Sequence, residues 1–89
     1  MVIIMKDVIW QPKAMKQLKK LGDHAAQERI LAATSGLAAF PDVAGVKALV
    51  NHDYGFRMRV GNYRVLFNVL EAVEVISIEE VKKRDENTY

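Results

Sequence analysis

The chain has 89 residues and a formal net charge of +2, and 51% of its residues are hydrophobic and 27% charged. This balance is typical of one small globular domain spanning residues 1–89 and argues against a disordered chain. The sequence contains no cysteine, which excludes disulfides, thiolate metal sites and cysteine nucleophiles. The apolar run from Met1 to Met5 is too short for a signal peptide or a membrane span, so we expect a cytoplasmic protein without a membrane partner.

The first half of the chain predicts a strand followed by two helices. Residues 1–10 are rich in valine, isoleucine and tryptophan, as strands are, and Pro12 suits the first turn of a helix. Apolar residues then recur at helical spacing until Gly22. Asp23 is a suitable N-cap for a second helix, which must end before Pro41. The short connection between the helices predicts an antiparallel helical hairpin.

The second half predicts strands. A short strand is expected over residues 46–50, a hairpin over residues 54–69 with Gly61-Asn62 as its turn, and a final strand from Val73 to Val81. The predicted fold class is therefore α+β: an N-terminal strand, the antiparallel helical hairpin, and then a three- to four-stranded, largely antiparallel sheet with the helices on one face.

The turn position fixes which hairpin residues share a face. If Gly61 and Asn62 form the turn, Arg59 lies opposite Arg64. One face of the hairpin is then entirely apolar and should cover the helices; its members are Tyr54, Phe56, Met58, Val60, Tyr63, Val65, Phe67 and Val69. The other face carries Arg57, Arg59 and Arg64.

Like charges placed directly across two strands destabilise a sheet, and this face of the hairpin contains no acid. The arrangement therefore points to an anionic partner, and guanidinium groups match phosphate oxygens in a bidentate way. The alternative is that the arginines extend into solvent or pair with acids of a neighbouring strand, such as Glu74 or Glu79.

Other charged and titratable residues carry weaker indications. Four lysines of the first helix would add salt-sensitive attraction for phosphate or simply face solvent; they are Lys13, Lys16, Lys19 and Lys20. His52 precedes the basic strand and is either an acid/base or a turn residue, and His24 is expected to be exposed. The histidines and acids lack the spacing of metal ligands, so no metal site is predicted.

The hairpin resembles a known family. Residues 54–67 match the "Y-x-x-R-[IVM]-R-x-G-x-Y-R-[VIL]" hairpin of the RelE/ParE superfamily, which are toxins of type II toxin–antitoxin pairs. The resemblance extends to the Lys-x-Leu-Lys-Lys-Leu end of the first helix, to Lys47-Ala48-Leu49, and to the order of elements. It implies a RelE-like, microbial ribonuclease-type fold, closest to the RelE branch.

The RelE branch implies a function and its partners. Those toxins are endoribonucleases (mRNA interferases) that cut mRNA in the A site of the 30S ribosomal subunit and need no metal or small-molecule cofactor. The mRNA 2′-hydroxyl attacks its own phosphodiester while basic side chains stabilise the added charge, and a cognate antitoxin protein neutralises the toxin. Carried over by position, the catalytic residues are Arg59, Arg64, Arg84 and Tyr89, and the RNA-binding residues are Lys47, Arg57, Lys82 and Lys83.

Two features depart from the family pattern. Well-known relatives have lysines where this chain has Arg57 and Arg59, and because arginine keeps its proton, neither can be a general base. That role falls to Tyr89, to Lys82 or Lys83, or to no strong base. Either Lys83 or Arg84 corresponds to the C-terminal catalytic cation, and we favour Arg84. A ParE-like gyrase poison and a non-catalytic RNA-binding relative are the alternative functions.

Overall fold

The computed structural model describes residues 5–84, and within that range two helices pack against one five-stranded sheet. The elements in chain order are β1 (Asp7–Trp10), α1 (Pro12–Lys19), α2 (His24–Ser35), a 3-10 turn (Gly36–Ala39), β2 (Val46–Ala48), β3 (Phe56–Val60), β4 (Tyr63–Leu70), a second 3-10 turn (Glu71–Val73) and β5 (Val75–Lys83). The strand order is β1-β5-β4-β3-β2; β1 runs parallel to β5 and the other neighbours are antiparallel. The predicted α+β class is confirmed, with β1 joining the four later strands.

The helical hairpin forms as its sequence predicts. Pro12 occupies the first position of α1, and Gly22 adopts a φ of +69° in the turn that follows. The Asp23 side chain accepts a hydrogen bond from the Ala26 backbone N–H at 3.1 Å and so caps α2. The Gln27 side chain, one turn into α2, donates to the Leu18 carbonyl at 3.1 Å. These contacts fix the two helices side by side.

The core lies between the helices and one face of the sheet. Phe67 is fully buried there, with its ring 5.5 Å from that of Phe56 and 6.1 Å from that of Phe40. The buried members of this core are Ala14, Leu18, Ile30, Leu37, Met58, Val60, Val65, Phe67, Ile76, Ile78 and Val81. Beyond the end of β1, α1 lies along β5, and the Val81 backbone N–H donates to the Gln17 side chain at 2.7 Å. A helix side chain thus replaces a strand partner at this edge.

The hairpin register is as predicted. Val60 pairs with Tyr63 and Arg59 with Arg64. Gly61 has a φ of +56°, the left-handed conformation that the first central residue of a II′ turn requires. One assignment was wrong: Tyr54 does not lie on the apolar face. The ladder ends at Phe56, because the Gly55 backbone N–H donates to the Asn68 side chain at 2.7 Å, and Tyr54 lies in a bend outside β3.

Three predicted strand limits also change. The first strand was expected over residues 1–10; its described part begins at Asp7, since the Lys6 backbone N–H donates to the Ala38 carbonyl instead, and residues 1–4 lie outside the description. The short strand ends at Ala48 rather than residue 50, before a turn in which Asn51 has a φ of +53°. The last strand begins after Glu74, whose φ is +55°, and runs to Lys83, which brings two more lysines onto the sheet.

None of the helices within residues 5–84 has the length and apolarity to cross a membrane.

Candidate nucleic-acid interface

The sheet face opposite the helices carries the arginines, and we call it the basic face. Arg59 pairs with Arg64 across β3 and β4, and Arg64 pairs with Lys82 of β5. Residues that pair directly in neighbouring strands project to the same side of a sheet. These three cations therefore form one row across the basic face, near the hairpin turn.

A second row lies beside the first, away from the turn. It runs from Lys47 of β2 through Arg57 and Leu66 to Glu80 of β5. The Arg57 guanidinium donates to the Gly45 carbonyl at 3.4 Å, which holds the side chain near the edge of the sheet. This row has two cations at one end, then an apolar side chain, and a carboxylate at the other end.

A cavity of about 560 Å³ opens on the basic face. Its lining consists of Lys47, Leu49, His52, Arg57, Arg59, Arg64, Leu66, Lys82, Lys83 and Arg84. Seven of these ten residues are cationic and none is acidic, so the cavity is suited to an anion. The Arg84 backbone N–H donates to the Asn62 carbonyl at 2.6 Å, which fixes the end of β5 beside the hairpin turn.

Glu74 and Glu79, the two acids considered as partners of the arginines, form hydrogen bonds elsewhere. Glu74 accepts a hydrogen bond from Lys6 at 2.9 Å, and Glu79 accepts one from Ser77 at 2.6 Å. Among residues 5–84, no acidic side chain forms an ion pair with Arg57 or Arg59. For these two arginines, pairing with Glu74 or Glu79 is therefore wrong.

Glu80 is the acid that does lie on the basic face. It is only 8% exposed, and its carboxylate is 3.3 Å from the Lys13 ammonium of α1. Burial raises the pKa of Glu80, but hydrogen bonds from Tyr54, Lys13 and Gln17 outweigh burial and hold this pKa below its usual value. Glu80 is therefore a carboxylate whose charge is satisfied by α1 and Tyr54 rather than by the arginines.

A β-bulge explains why the sequence pattern missed Glu80. Leu66 pairs with Glu80 and Phe67 with Ile78, so Glu79 is an extra residue in β5. Without the bulge, Glu80 would share the core face with Ile78. Two consecutive glutamates between the apolar residues Ile78 and Val81 break the alternation of a strand, and this is the signal that could have located the bulge.

The loop before β3 places His52 in the cavity lining, with the Tyr54 ring beside it. The His52 Nδ1 atom accepts a hydrogen bond from the Tyr54 backbone N–H at 3.1 Å, and the two ring centroids are 5.9 Å apart. The Tyr54 hydroxyl donates to the Glu80 carboxylate, and this hydrogen bond raises the pKa of Tyr54. The loop is thereby connected to both β5 and α1. The histidines and acids within the described range form no group that could hold a metal ion.

Comparison with protein families identifies the chain. The family model of the ParE toxin of type II toxin–antitoxin systems, parDE, matches residues 8–88. The chain belongs to this toxin family. A comparison of the toxin with curated proteins found no match.

Solved structures similar to the toxin are RelE proteins. The archaeal RelE–RelB complex from Pyrococcus horikoshii is 26% identical, with a TM-score of 0.74 over 92% of this chain and 98% of that one. The RelBE2 toxin–antitoxin complex from Mycobacterium tuberculosis is 25% identical, with a TM-score of 0.65 over 91% and 100% of the two chains. The isolated Escherichia coli RelE toxin shares the fold at 16% identity, with a TM-score of 0.77 over 93% and 88%. The resemblance to the RelE/ParE superfamily is confirmed.

The toxin's fold brings most of the predicted site residues together. The seven predicted cations all line the cavity, although β2, β3, β4 and the end of β5 supply them from separate parts of the sequence. Tyr89 lies outside the described residues. The sequence pattern missed Glu80 and Leu49, and it placed Tyr54 on the wrong face. Of the four lysines in α1, Lys13 contacts Glu80 at the border of the basic face.

Proposed function

We propose that this toxin inhibits translation as a metal-independent endoribonuclease that cleaves mRNA on the ribosome. The observation that carries the proposal is the gathering of seven cationic residues around one cavity whose lining, among residues 5–84, contains no acid. An RNA phosphodiester becomes more negative as its cleavage proceeds, and fixed cations stabilise such developing charge. The cavity therefore offers the electrostatic environment that this reaction needs.

The reaction assigned to this cavity is attack by an RNA 2′-hydroxyl on the adjacent phosphorus. The 2′-oxygen loses its proton and bonds to phosphorus, the bond to the 5′-oxygen of the next nucleotide breaks, and that oxygen takes up a proton. The products are a 2′,3′-cyclic phosphate and a 5′-hydroxyl. Arg59, Arg64 and Arg84 would stabilise the phosphorane, while Lys47, Arg57, Lys82 and Lys83 would hold the flanking phosphates.

Proton transfer is the less defined part of the mechanism. The arginines in the cavity keep their protons, so they stabilise charge and do not act as bases. Lys82, Lys83 and Tyr89 remain the candidates for the general base, and a reaction driven by charge stabilisation alone is the remaining alternative. Tyr89→Phe separates these cases, since it should slow cleavage if the tyrosine hydroxyl takes part.

The partners of this activity are the ribosomal A site, the mRNA and a cognate antitoxin. Two of the similar structures are RelE–RelB and RelBE2 toxin–antitoxin complexes, which supports an antitoxin partner for this chain. An acidic segment of the antitoxin would neutralise the basic face and exclude RNA from it. Ribosomes and mRNA are cytoplasmic, so the proposed location is the cytoplasm.

The test is cell-free translation with primer extension on the mRNA. We expect ribosome-dependent cuts that disappear with Arg64→Ala and weaken with Tyr89→Phe. Arg29→Gln is a matched control because Arg29 is an exposed arginine of α2 that does not line the cavity. Intact mRNA in a reaction whose translation is blocked would contradict the proposal.

A gyrase poison is the second candidate, and the match to the ParE family model favours it. A supercoiling assay with purified gyrase separates the two functions, since only a gyrase poison should reduce supercoiling. A third outcome, salt-dependent RNA binding without a cleavage product, would identify a non-catalytic relative.

A further inference from the structure

His52 is the one uncharged polar side chain among the residues that line the cavity within the described range. Its Nδ1 atom accepts the Tyr54 backbone N–H at 3.1 Å, so this nitrogen carries no proton. A neutral imidazole has one N–H group and one acceptor nitrogen. The proton therefore resides on Nε2, and the group that His52 can offer to a ligand is an N–H donor.

A short network of polar contacts holds the loop that carries His52. Tyr54 supplies the backbone N–H that fixes the imidazole, and its own hydroxyl donates to Glu80. The Glu80 carboxylate is fixed in turn by α1, through the Lys13 ammonium at 3.3 Å. The network thus links His52 to β5 and α1 as well as to its own loop.

We propose that His52 binds the RNA in the cavity as a neutral donor, giving its Nε2–H to a phosphate oxygen, and that it does not act as the general base. This inference rests on the proposed ribonuclease function. Phosphate is the expected acceptor because Lys47 and Arg57 share the cavity lining with His52. A neutral donor adds a hydrogen bond to the phosphate without adding a further charge to a cavity that already holds seven cations.

Two substitutions distinguish the roles of the two ring nitrogens of His52. Glutamine places its amide nitrogen near the position of Nε2, whereas asparagine places its amide oxygen near Nδ1 and keeps the acceptor for the Tyr54 N–H. We expect His52→Gln to retain cleavage within about threefold, and His52→Asn and His52→Ala to lose roughly 10- to 100-fold, as when a hydrogen bond to a charged group is removed. The same changes at His24, which is exposed at the start of α2 and does not line the cavity, should have no effect.

A general base would behave differently. Glutamine cannot accept and release a proton as imidazole does, so His52→Gln would then be as inactive as His52→Ala, and one ionisation would disappear from the pH profile of the cleavage rate. Either result would overturn the proposal. Retention of activity and of the pH profile in His52→Gln supports it.

Two measurements do not depend on cleavage. Nitrogen-15 NMR of the free toxin should show the His52 proton on Nε2, and a proton on Nδ1 would contradict the inference. An RNA oligonucleotide with 2′-O-methyl groups cannot be cleaved, and it should bind His52→Asn roughly tenfold more weakly than the parent. If the parent toxin fails to cleave mRNA, the proposed function is wrong, but these two measurements still test the role of His52. Equal RNA affinity of the parent toxin and His52→Asn would refute the proposed role of His52.

Discussion

Neutralising Arg59 should make the toxin more stable and less active. Arg59 lies directly opposite Arg64, and Lys82 follows in the same row. Two unit charges about 6 Å apart repel each other by about 0.7 kcal/mol in water and by about 3 kcal/mol at an effective dielectric constant of about 20. Arg59 is exposed, which places the repulsion near the lower value. We expect Arg59→Gln to raise the free energy of unfolding by about 0.2–1 kcal/mol, the range for cross-strand pairs.

The assay is urea unfolding at low salt and at high salt. At low salt, Arg59→Gln should shift the midpoint to higher urea without changing the m-value. At about 1 M salt the Debye length falls to about 3 Å, so the gain in the free energy of unfolding should disappear. Arg29→Gln, on the exposed surface of α2, controls for the loss of an arginine as such. A variant that is less stable, or whose gain persists at high salt, would refute the electrostatic reasoning.

Four further changes test the network, the core and the hairpin turn. Tyr54→Phe removes a hydrogen bond that lowers the pKa of Glu80, so NMR titration should show this pKa rising. The Glu80 pKa is lowered in the folded state, so its contribution to stability is present above the pKa of an unfolded glutamate and is lost as the pH falls through the folded pKa. Glu80→Gln should reduce this acid dependence in denaturation experiments. Phe67→Ala should cost about 3–5 kcal/mol in urea unfolding, since Phe67 is fully buried between two rings. Gly61→Ala should cost about 1 kcal/mol in the same assay, because φ is +56° there.

Local patterns predicted the parts of the fold that depend on neighbouring residues. The Gly61-Asn62 turn and the strict alternation on either side of it were sufficient to place Arg59 opposite Arg64. The starts of the two helices followed in the same way from Pro12 and Asp23, whose roles are local, whereas α2 ends at Ser35, before the predicted stop at Pro41. These features need no information about distant parts of the chain.

Features that depend on distant contacts were not predictable in the same way. The bulge at Glu79 changes which face Glu80 occupies, and the three groups that fix Glu80 come from α1 and from the loop before β3. Tyr54 continues the apolar alternation in sequence, yet Gly55 leaves the ladder to bond with Asn68 and Tyr54 contacts Glu80 instead. The cavity likewise requires the end of β5 to return beside the hairpin turn, which the sequence indicated only through the family resemblance.

The pairing of β1 with β5 has a consequence for how the toxin is made. Asp7 is in register with Val75, so the first and last described strands meet only when nearly the whole chain is present. Contacts between residues far apart in sequence form late in folding, and synthesis delivers the N-terminal strand first. Lys82, Lys83 and Arg84, which complete the cavity, leave the exit tunnel after every other element. The cavity therefore forms only after β5 has been synthesised and has paired with β4 and β1.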